Sequence, residues 1–358
     1  MSLAAAILHE RRRRHLLVLA ILAALSSVLA VLALDHQAAL MAPKFKPRTF
    51  FPGLADKDRH IASIRITSKK YGTVAIDFVP DRGWVLPAEH GFPANYALVR
   101  KTIYGMAGLE ALAPETARPG WLKYLHLDAP PQGRGVKVAL YDDKGRTIAA
   151  VIAGKTKTLG ELGQLGLFVR TPASNQSWLV RSVFRPQANP ADWMNKDVLD
   201  LARSEIKSVT VTPAHGASYT VARKAASDAN FSLEGLPKGR ALAYPTAPNG
   251  PAYGLVDFSF DQAVPIQSVD FSHATTTRTD TFDGLTVVAR ITAQDGNSWV
   301  SLSATAKPAN KVAALKARKI NKIAGAWAFE IPAYKAAQLT TPLDNLLKAR
   351  PAAAKHGR

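Results

Sequence analysis

The sequence predicts an α+β protein with an N-terminal single transmembrane helix, followed by two tandem, duplicated β-rich units, each with packed helices. Three observations predict this class. A charge-free apolar run lies near the N-terminus, strands of alternating polarity are followed by an amphipathic helical pattern, and a similar strand pair begins at Ile61 and again at Ile206. The predicted segments are a cytoplasmic basic N-terminus 1–15, a transmembrane helix 16–34, a proline-containing spacer 35–50, a first α+β unit 51–188, a second α+β unit 189–348 and a disordered tail 349–358.

The apolar run has no charged residue between Leu16 and Leu34. A helix rises about 1.5 Å per residue, so this run just spans a hydrocarbon core of about 30 Å. Arg11 to Arg14 precede it, and basic residues beside a first apolar helix stay in the cytoplasm. The pattern predicts a bacterial inner-membrane protein with a cytoplasmic N-terminus and a periplasmic body, in contact with lipid through residues 16–34. The alternative is a cleaved signal peptide, with small residues at Val31–Ala33.

The first unit begins with two alternating strands, around residues 61–67 and 74–79, and a third strand carries Trp84. Trp84 is predicted to pack between the sheet and the helix that follows. That helix is predicted between Pro93 and Pro114, because apolar residues recur on one helical face. The residues of that face are Val99, Ile103, Met106, Leu109 and Leu112.

The second unit repeats several of these features. "PADWMNKDVLDL" from Pro190 predicts a short helix, and a strand pair then starts at Ile206. A hairpin turning at Asp295–Asn297 echoes one turning at Asp142–Gly145, and "GAWAFEI" echoes "LGLFVRT". Internal duplication explains the ordered series. The alternative is that short alternating strands resemble one another by chance.

Composition excludes several classes of chemistry. The 358 residues include no cysteine, which excludes disulfides, thiolate metal sites and cysteine nucleophiles. The formal net charge is +19, from 46 basic and 27 acidic residues. These charges are dispersed and do not form a stripe with interleaved aromatic residues, so no nucleic-acid partner is predicted. The basic stretch 307–322 is either a solvated helix face or a contact with acidic lipid or a partner.

No catalytic, cofactor-binding or metal-binding residue is predicted, and no cofactor is expected. Gly154-Lys155-Thr156 resembles the end of a phosphate-binding loop, but Ala149 stands where that loop needs its first glycine. The histidines are dispersed, and a lone His126 or His273 is more often structural than a ligand. The sequence therefore predicts a protein that is not an enzyme.

Several phrases, in order, resemble the bacterial domain of unknown function 4340 family. The match runs from about Phe51 to about Phe260, and Trp121 and Tyr124 take the aromatic places of the family's phrase after the helix. The phrases are "RTFFPGL", "GWVLPAEHGFPANYALVRKTIYGMAGLEAL", "APETARPGWLKYLHLDAP", "GLFVRTPASNQSWLV" and "ADWMNKDVLDLARSEIKSVTV". The resemblance implies a membrane-anchored extracytoplasmic protein, whose relatives are often linked with ABC-type transporter subunits and the gliding-motility auxiliary component. It implies no catalytic residue.

These observations together predict a membrane-anchored periplasmic accessory or binding component of an envelope or ABC-type transport complex, without catalytic activity. Its expected partners are other envelope or transporter subunits. The alternative is an envelope enzyme or a ligand-binding module acting on a glycan or lipid.

Overall fold

A computed structural model describes residues 22, 25–30, 33, 45–160, 163–307 and 309–349 of the chain. The predicted segment 1–15, most of the tail 349–358 and most of the predicted transmembrane segment 16–34 lie outside these residues. The described residues of that last segment are helical. Across the described ranges, no helix has both the length and the apolar character that crossing a bilayer requires.

The predicted α+β class, with its N-terminal transmembrane helix, is wrong. The described chain is mainly antiparallel β-sheet, in one sheet of ten strands and one of eight. Helices are few and mostly short. The stretch predicted as a helix from Pro190, for example, contains only the four-residue helix Pro190–Trp193. The division into units 51–188 and 189–348 stays a prediction.

The strands form two groups along the chain. The first group is β1 Arg48–Thr49, β2 Ser63–Ser68, β3 Gly72–Val79, β4 Gly83–Leu86, β5 Phe92–Pro93, β6 Glu110–Pro114, β7 Val136–Tyr141, β8 Thr147–Leu159, β9 Gln164–Arg170 and β10 Ser177–Arg181. The second group is β11 Ile206–Thr212, β12 Tyr219–Ala222, β13 Ser232–Leu233, β14 Ala263–Pro265, β15 Thr275–Thr281, β16 Leu285–Gln294, β17 Asn297–Ala306 and β18 Trp327–Ile331.

The helices lie between and after these strands. Over residues 45–349 the α-helices are α1 Tyr96–Ala107, α2 Pro119–Leu122, α3 Pro190–Trp193, α4 Asn249–Ala252, α5 Lys311–Ala324, α6 Ala333–Leu339 and α7 Leu343–Leu346. The 3-10 helices are Ala55–His60, Pro87–Glu89, Lys123–Leu125, Arg203–Glu205 and Ile266–Ser268.

The two sheets follow the same order of strands. The first is β1-β6-β10-β9-β8-β7-β2-β3-β4-β5, and the second, from its β14 edge, is β14-β18-β17-β16-β15-β11-β12-β13. Strands β1 and β5 extend the two edges of the first sheet. When they are set aside, eight strands remain in each sheet, and each strand of the first group occupies the same position as the strand of equal rank in the second group. Ile64 of β2 and Val209 of β11 therefore lie on equivalent strands, each between two antiparallel neighbours.

The two later resemblances predicted between the units, a hairpin and a strand, are each displaced by one strand from this order. The hairpin β16–β17 turns at Asp295 and takes the place of β8–β9, whereas the sequence pairs it with β7–β8. "GAWAFEI" is β18, which takes the place of β10 rather than that of β9. The error arises because antiparallel hairpins share one alternation and one turn chemistry, so sequence alone does not distinguish adjacent hairpins.

The long helices begin at asparagine caps. The side-chain oxygen of Asn95 accepts from the Leu98 N–H at the start of α1, and that of Asn310 accepts from the Val312 and Ala313 N–H groups at the start of α5. Such caps satisfy backbone donors that have no partner within the helix. Helix α1 ends at Ala107, and Leu109 leads at once into β6, so the predicted helical face is only partly helical.

The two sheets meet through aromatic side chains. Phe92 of β5 is fully buried, and its ring centroid lies 4.9 Å from that of Trp327 and 5.7 Å from that of Phe260. Lys196, between the two groups of strands, donates to the Phe260 carbonyl oxygen at 2.6 Å. One continuous buried cluster therefore includes residues of both sheets.

Candidate functional site: an exposed aromatic and basic segment

The most distinctive exposed surface lies on residues 118–124, which include α2 and are called here the aromatic–basic segment. Trp121 and Tyr124 expose 56% and 62% of their surface. The Arg118 guanidinium lies 5.4 Å from the centre of the Trp121 ring, and the Lys123 ammonium lies 5.2 Å from that of Tyr124. Exposed cation–π pairs contribute about 0.5–1 kcal/mol each, so two of them help to order this short segment.

Two leucines bury the base of the segment against the first sheet. Leu122 and Leu127 pack with Ile152 of β8, in a small cluster apart from the main core. Val151, its neighbour in β8, belongs to the main core. Successive side chains of a strand point to opposite faces, so the segment lies on the face of the first sheet opposite the main core.

Hydrogen bonds and close contacts hold the segment in place. The buried Arg170 side chain donates to the Leu127 carbonyl oxygen at 2.7 Å. The Arg118 N–H donates to the Thr116 hydroxyl at 3.1 Å. Gly154 of β8 lies so close to this turn that a Cβ there would fall 2.1 Å from the Leu125 carbonyl oxygen. The aromatic rings are thus exposed on a backbone that is fixed from beneath.

The electrostatic environment of the segment is basic. His126 follows the segment closely, and the Arg134 guanidinium nitrogen Nη1 lies 3.1 Å from its ring nitrogen Nε2. Burial lowers the pKa of His126, and the nearby Lys155 and Arg134 lower it further, while Asp128 opposes them. The lowered pKa favours the neutral form of His126 at neutral pH, so the charge of the surface comes mainly from lysine and arginine.

The phosphate-loop-like residues do not form a phosphate site. Gly154, Lys155 and Thr156 lie within β8 and do not precede a helix.

Asp142, in the β7–β8 turn, accepts from the backbone N–H groups of Lys144 and Arg146 and pairs with the Arg146 side chain at 2.7 Å. Within the described parts of the chain, no group of three His, Asp or Glu side chains is placed to hold a metal ion.

The sequence alone assigns no role to this surface, although Trp121 and Tyr124 stand at aromatic positions of the family phrase. The sequence does not single out the basic partners, because Arg118 and Lys123 resemble ordinary solvated charges in a basic chain. The signal was present in "RPGWLKY", where a cation precedes each aromatic residue by three positions or by one.

The described residues therefore form a β-rich protein that presents an exposed aromatic and basic segment. Residues 84–256 match the family model described as Domain of unknown function (DUF4340), which supports the expected membership of that family over this range. The aromatic–basic segment lies inside the matched range. No curated protein and no solved structure matches the chain.

Proposed function

We propose that the protein is a non-catalytic accessory or binding component of an envelope or ABC-type transport complex, held at the bacterial inner membrane with its body in the periplasm. The observation that carries this proposal is the aromatic–basic segment. Tryptophan, tyrosine and arginine are enriched among the residues that dominate protein–protein binding energy. Because the segment is fixed by Arg170 and by Gly154, a partner would not have to order it on binding.

The sequence supports the location. Arg11 to Arg14 precede the apolar run 16–34, as expected for a segment held at the membrane with its N-terminus inside. The path of the chain adds a second point. Arg48 of β1 pairs antiparallel with Ala111 of β6, so the chain enters at the end of β6 from which the aromatic–basic segment leads. Phe45 contacts Trp178 at that same end. On this proposal, the chain that follows the apolar run and the aromatic–basic segment reach the same end of the first sheet.

The test is site-specific photo-crosslinking in the native bacterial membrane. A photoreactive residue in place of Trp121 should crosslink to an integral-membrane subunit of a transport or envelope complex. The matched control is a photoreactive residue in place of Tyr96, which is 60% exposed and has Arg100 6.0 Å from its ring centre. Helix α1, which carries Tyr96, packs on the other face of the sheet.

Two results would reject the proposal. One is a crosslink of equal yield from positions 121 and 96, which would show general crowding at the membrane. The other concerns location, since a reporter that works only outside the cytoplasm, fused after Arg350, should be active. An inactive reporter with a stable fusion protein would place the body inside the cell.

A further inference from the structure

A second site lies among the helices and loops that connect the strands of the second sheet, far along the chain from the aromatic–basic segment. It is a pocket of about 390 Å³ between α4, α6 and the 3-10 helix Arg203–Glu205. A volume of this size is within the range of small-molecule sites. Its lining includes two cationic side chains, Arg203 and Lys335, and one acidic side chain, Asp257.

Lys335 is an unusual residue for this position. It lies in the first turn of α6 and is 6% exposed, although lysine is rarely buried without a partner. Its ammonium donates to the Val256 carbonyl oxygen. An ammonium has three donors, and within the described residues this is its only hydrogen bond and it has no ion pair. Two N–H bonds thus remain for a ligand.

The backbone around Lys335 is tightly packed. A Cβ at Gly254 would lie 2.6 Å from a methyl carbon of Leu339, so α6 lies directly on the turn that carries Val256. Asp257 follows with a φ of 51°, in the left-handed region that non-glycine residues seldom adopt. The pocket is therefore formed by the fold itself, not by loose side chains.

The other polar groups of the lining are also available. The Arg203 guanidinium lies 5.0 Å from the centre of the Tyr253 ring, and its backbone is held by a 2.5 Å hydrogen bond from the buried Arg223 to its carbonyl oxygen. Among the described residues, the side chains of Arg203, Tyr334 and Gln338 have no hydrogen-bond partner. Two cations and two neutral donors thus converge on one cavity.

We propose that this pocket binds a small oxyanion, the carboxylate or phosphate group of a soluble metabolite. Arg203 and Lys335 bind the anionic oxygens, and Tyr334 and Gln338 donate further hydrogen bonds. Charge-assisted bonds of this kind are about twice as strong as neutral ones. Asp257 keeps the net charge of the lining at one positive unit and is placed to accept from a hydroxyl or ammonium group of the same ligand. This proposal does not depend on the function of the aromatic–basic segment.

The test uses the full chain purified in detergent, with inorganic phosphate and acetate as probes and chloride as the reference anion at equal ionic strength. Because a ligand that binds only the folded state stabilises it, phosphate or acetate should raise the melting temperature progressively with concentration. Chloride should not. Titration calorimetry with phosphate gives the dissociation constant.

Two variants and two controls connect the effect to the pocket. Lys335→Met keeps the length of the side chain and removes its charge, and Arg203→Gln changes an exposed residue that leaves the core intact. Each should weaken phosphate binding roughly tenfold, the effect of losing one charge-assisted bond. Lys322→Met and Arg318→Gln remove exposed charges of α5 and should leave binding unchanged.

Three results would overturn the proposal. The first is equal stabilisation by chloride, which would mean general ionic screening. The second is binding that survives Arg203→Gln in a folded protein. The third is an equal loss in the α5 controls, which would mean that the overall charge of the chain, and not this pocket, attracts the anion.

Discussion

The two sheets have the same order of strands but carry their long helices at different connections. In the first sheet, α1 lies between β5 and β6, and the short stretch 171–176 joins β9 to β10. In the second sheet the connection equivalent to β9–β10 carries the fourteen-residue α5, while the connection from β13 to β14 holds only the four-residue α4. The strand order is thus the common element, and the helices are additions to it.

The two helices also pack differently. Helix α1 buries Val99, Ile103 and Met106, whereas α5 buries mainly alanines, among them Ala313 and Ala317. Alanines allow a close approach, and α5 is fastened to β17 by Asn321, whose amide exchanges two 2.7 Å hydrogen bonds with the backbone of Ala304. The first sheet is therefore covered by bulky side chains, and the second by a helix held close through small side chains and an amide.

The largest effect is expected where the two sheets meet. Phe92→Ala should lower the free energy of unfolding by about 3–5 kcal/mol, because it removes a fully buried ring that touches residues of the other sheet. Guanidinium unfolding followed by circular dichroism measures the loss. Phe78→Ala is the control, since Phe78 is 49% exposed and its loss should be small. Equal losses for the two variants would mean that the sheets are stabilised separately.

The second prediction sharpens the contrast between the helices. Met106→Ala should cost about 2–5 kcal/mol, because it leaves a cavity under α1. Ala313→Leu should cost about 1–3 kcal/mol for the opposite reason, since extra methylenes do not fit between α5 and its sheet. Both residues are fully buried. Thermal and denaturant unfolding measure both, and a neutral Ala313→Leu would show that α5 lies less closely on the sheet than its alanines indicate.

The strands could be predicted from the sequence because alternation is a local signal. Ile64 and Ile66 are buried, with half-buried neighbours, as the pattern indicates, and the hairpin turns at Asp142 and Asp295 lie where predicted. Trp84 is predicted to lie between sheet and helix. It packs against the main core that α1 helps to form, but it is only half-buried, and its ring lies 5.7 Å from that of the exposed Phe78. A strand pattern shows which residues alternate, but not which of them a distant element covers.

The fold class and the sites needed information that is not local. The ten-strand sheet places β10 between β6 and β9, a pairing over some seventy residues that no turn signal announces. Lys335 in "AYKAAQL" reads as a solvated helical lysine, and its burial follows only from the approach of Val256. The same limit applies to Arg170, whose role in holding the aromatic–basic segment depends on Leu127.

The smallest effect is expected at the electrostatic contact between α5 and the start of the second sheet. The Lys316 ammonium lies 2.5 Å from Glu205 and 3.5 Å from Asp283. The hydrogen bond to Glu205 raises the pKa of Lys316 by more than partial burial lowers it. All three side chains are about one third exposed, so solvent screening limits the contribution to less than about 1 kcal/mol.

The sign of this contribution fixes its pH dependence. A lysine whose pKa is higher in the folded state stabilises the protein fully below the unfolded value, and this stabilisation is lost as the pH rises through the folded value. Lys316→Met should therefore lower stability by a constant small amount near neutral pH, and the difference from the parent should vanish only in strongly alkaline solution. Lys319→Met is the control, because Lys319 pairs with Asp197 where both side chains are at least 60% exposed. A difference that disappears already near pH 8 would show that the ion pair does not hold α5, and that Asn321 and the alanines fasten it alone.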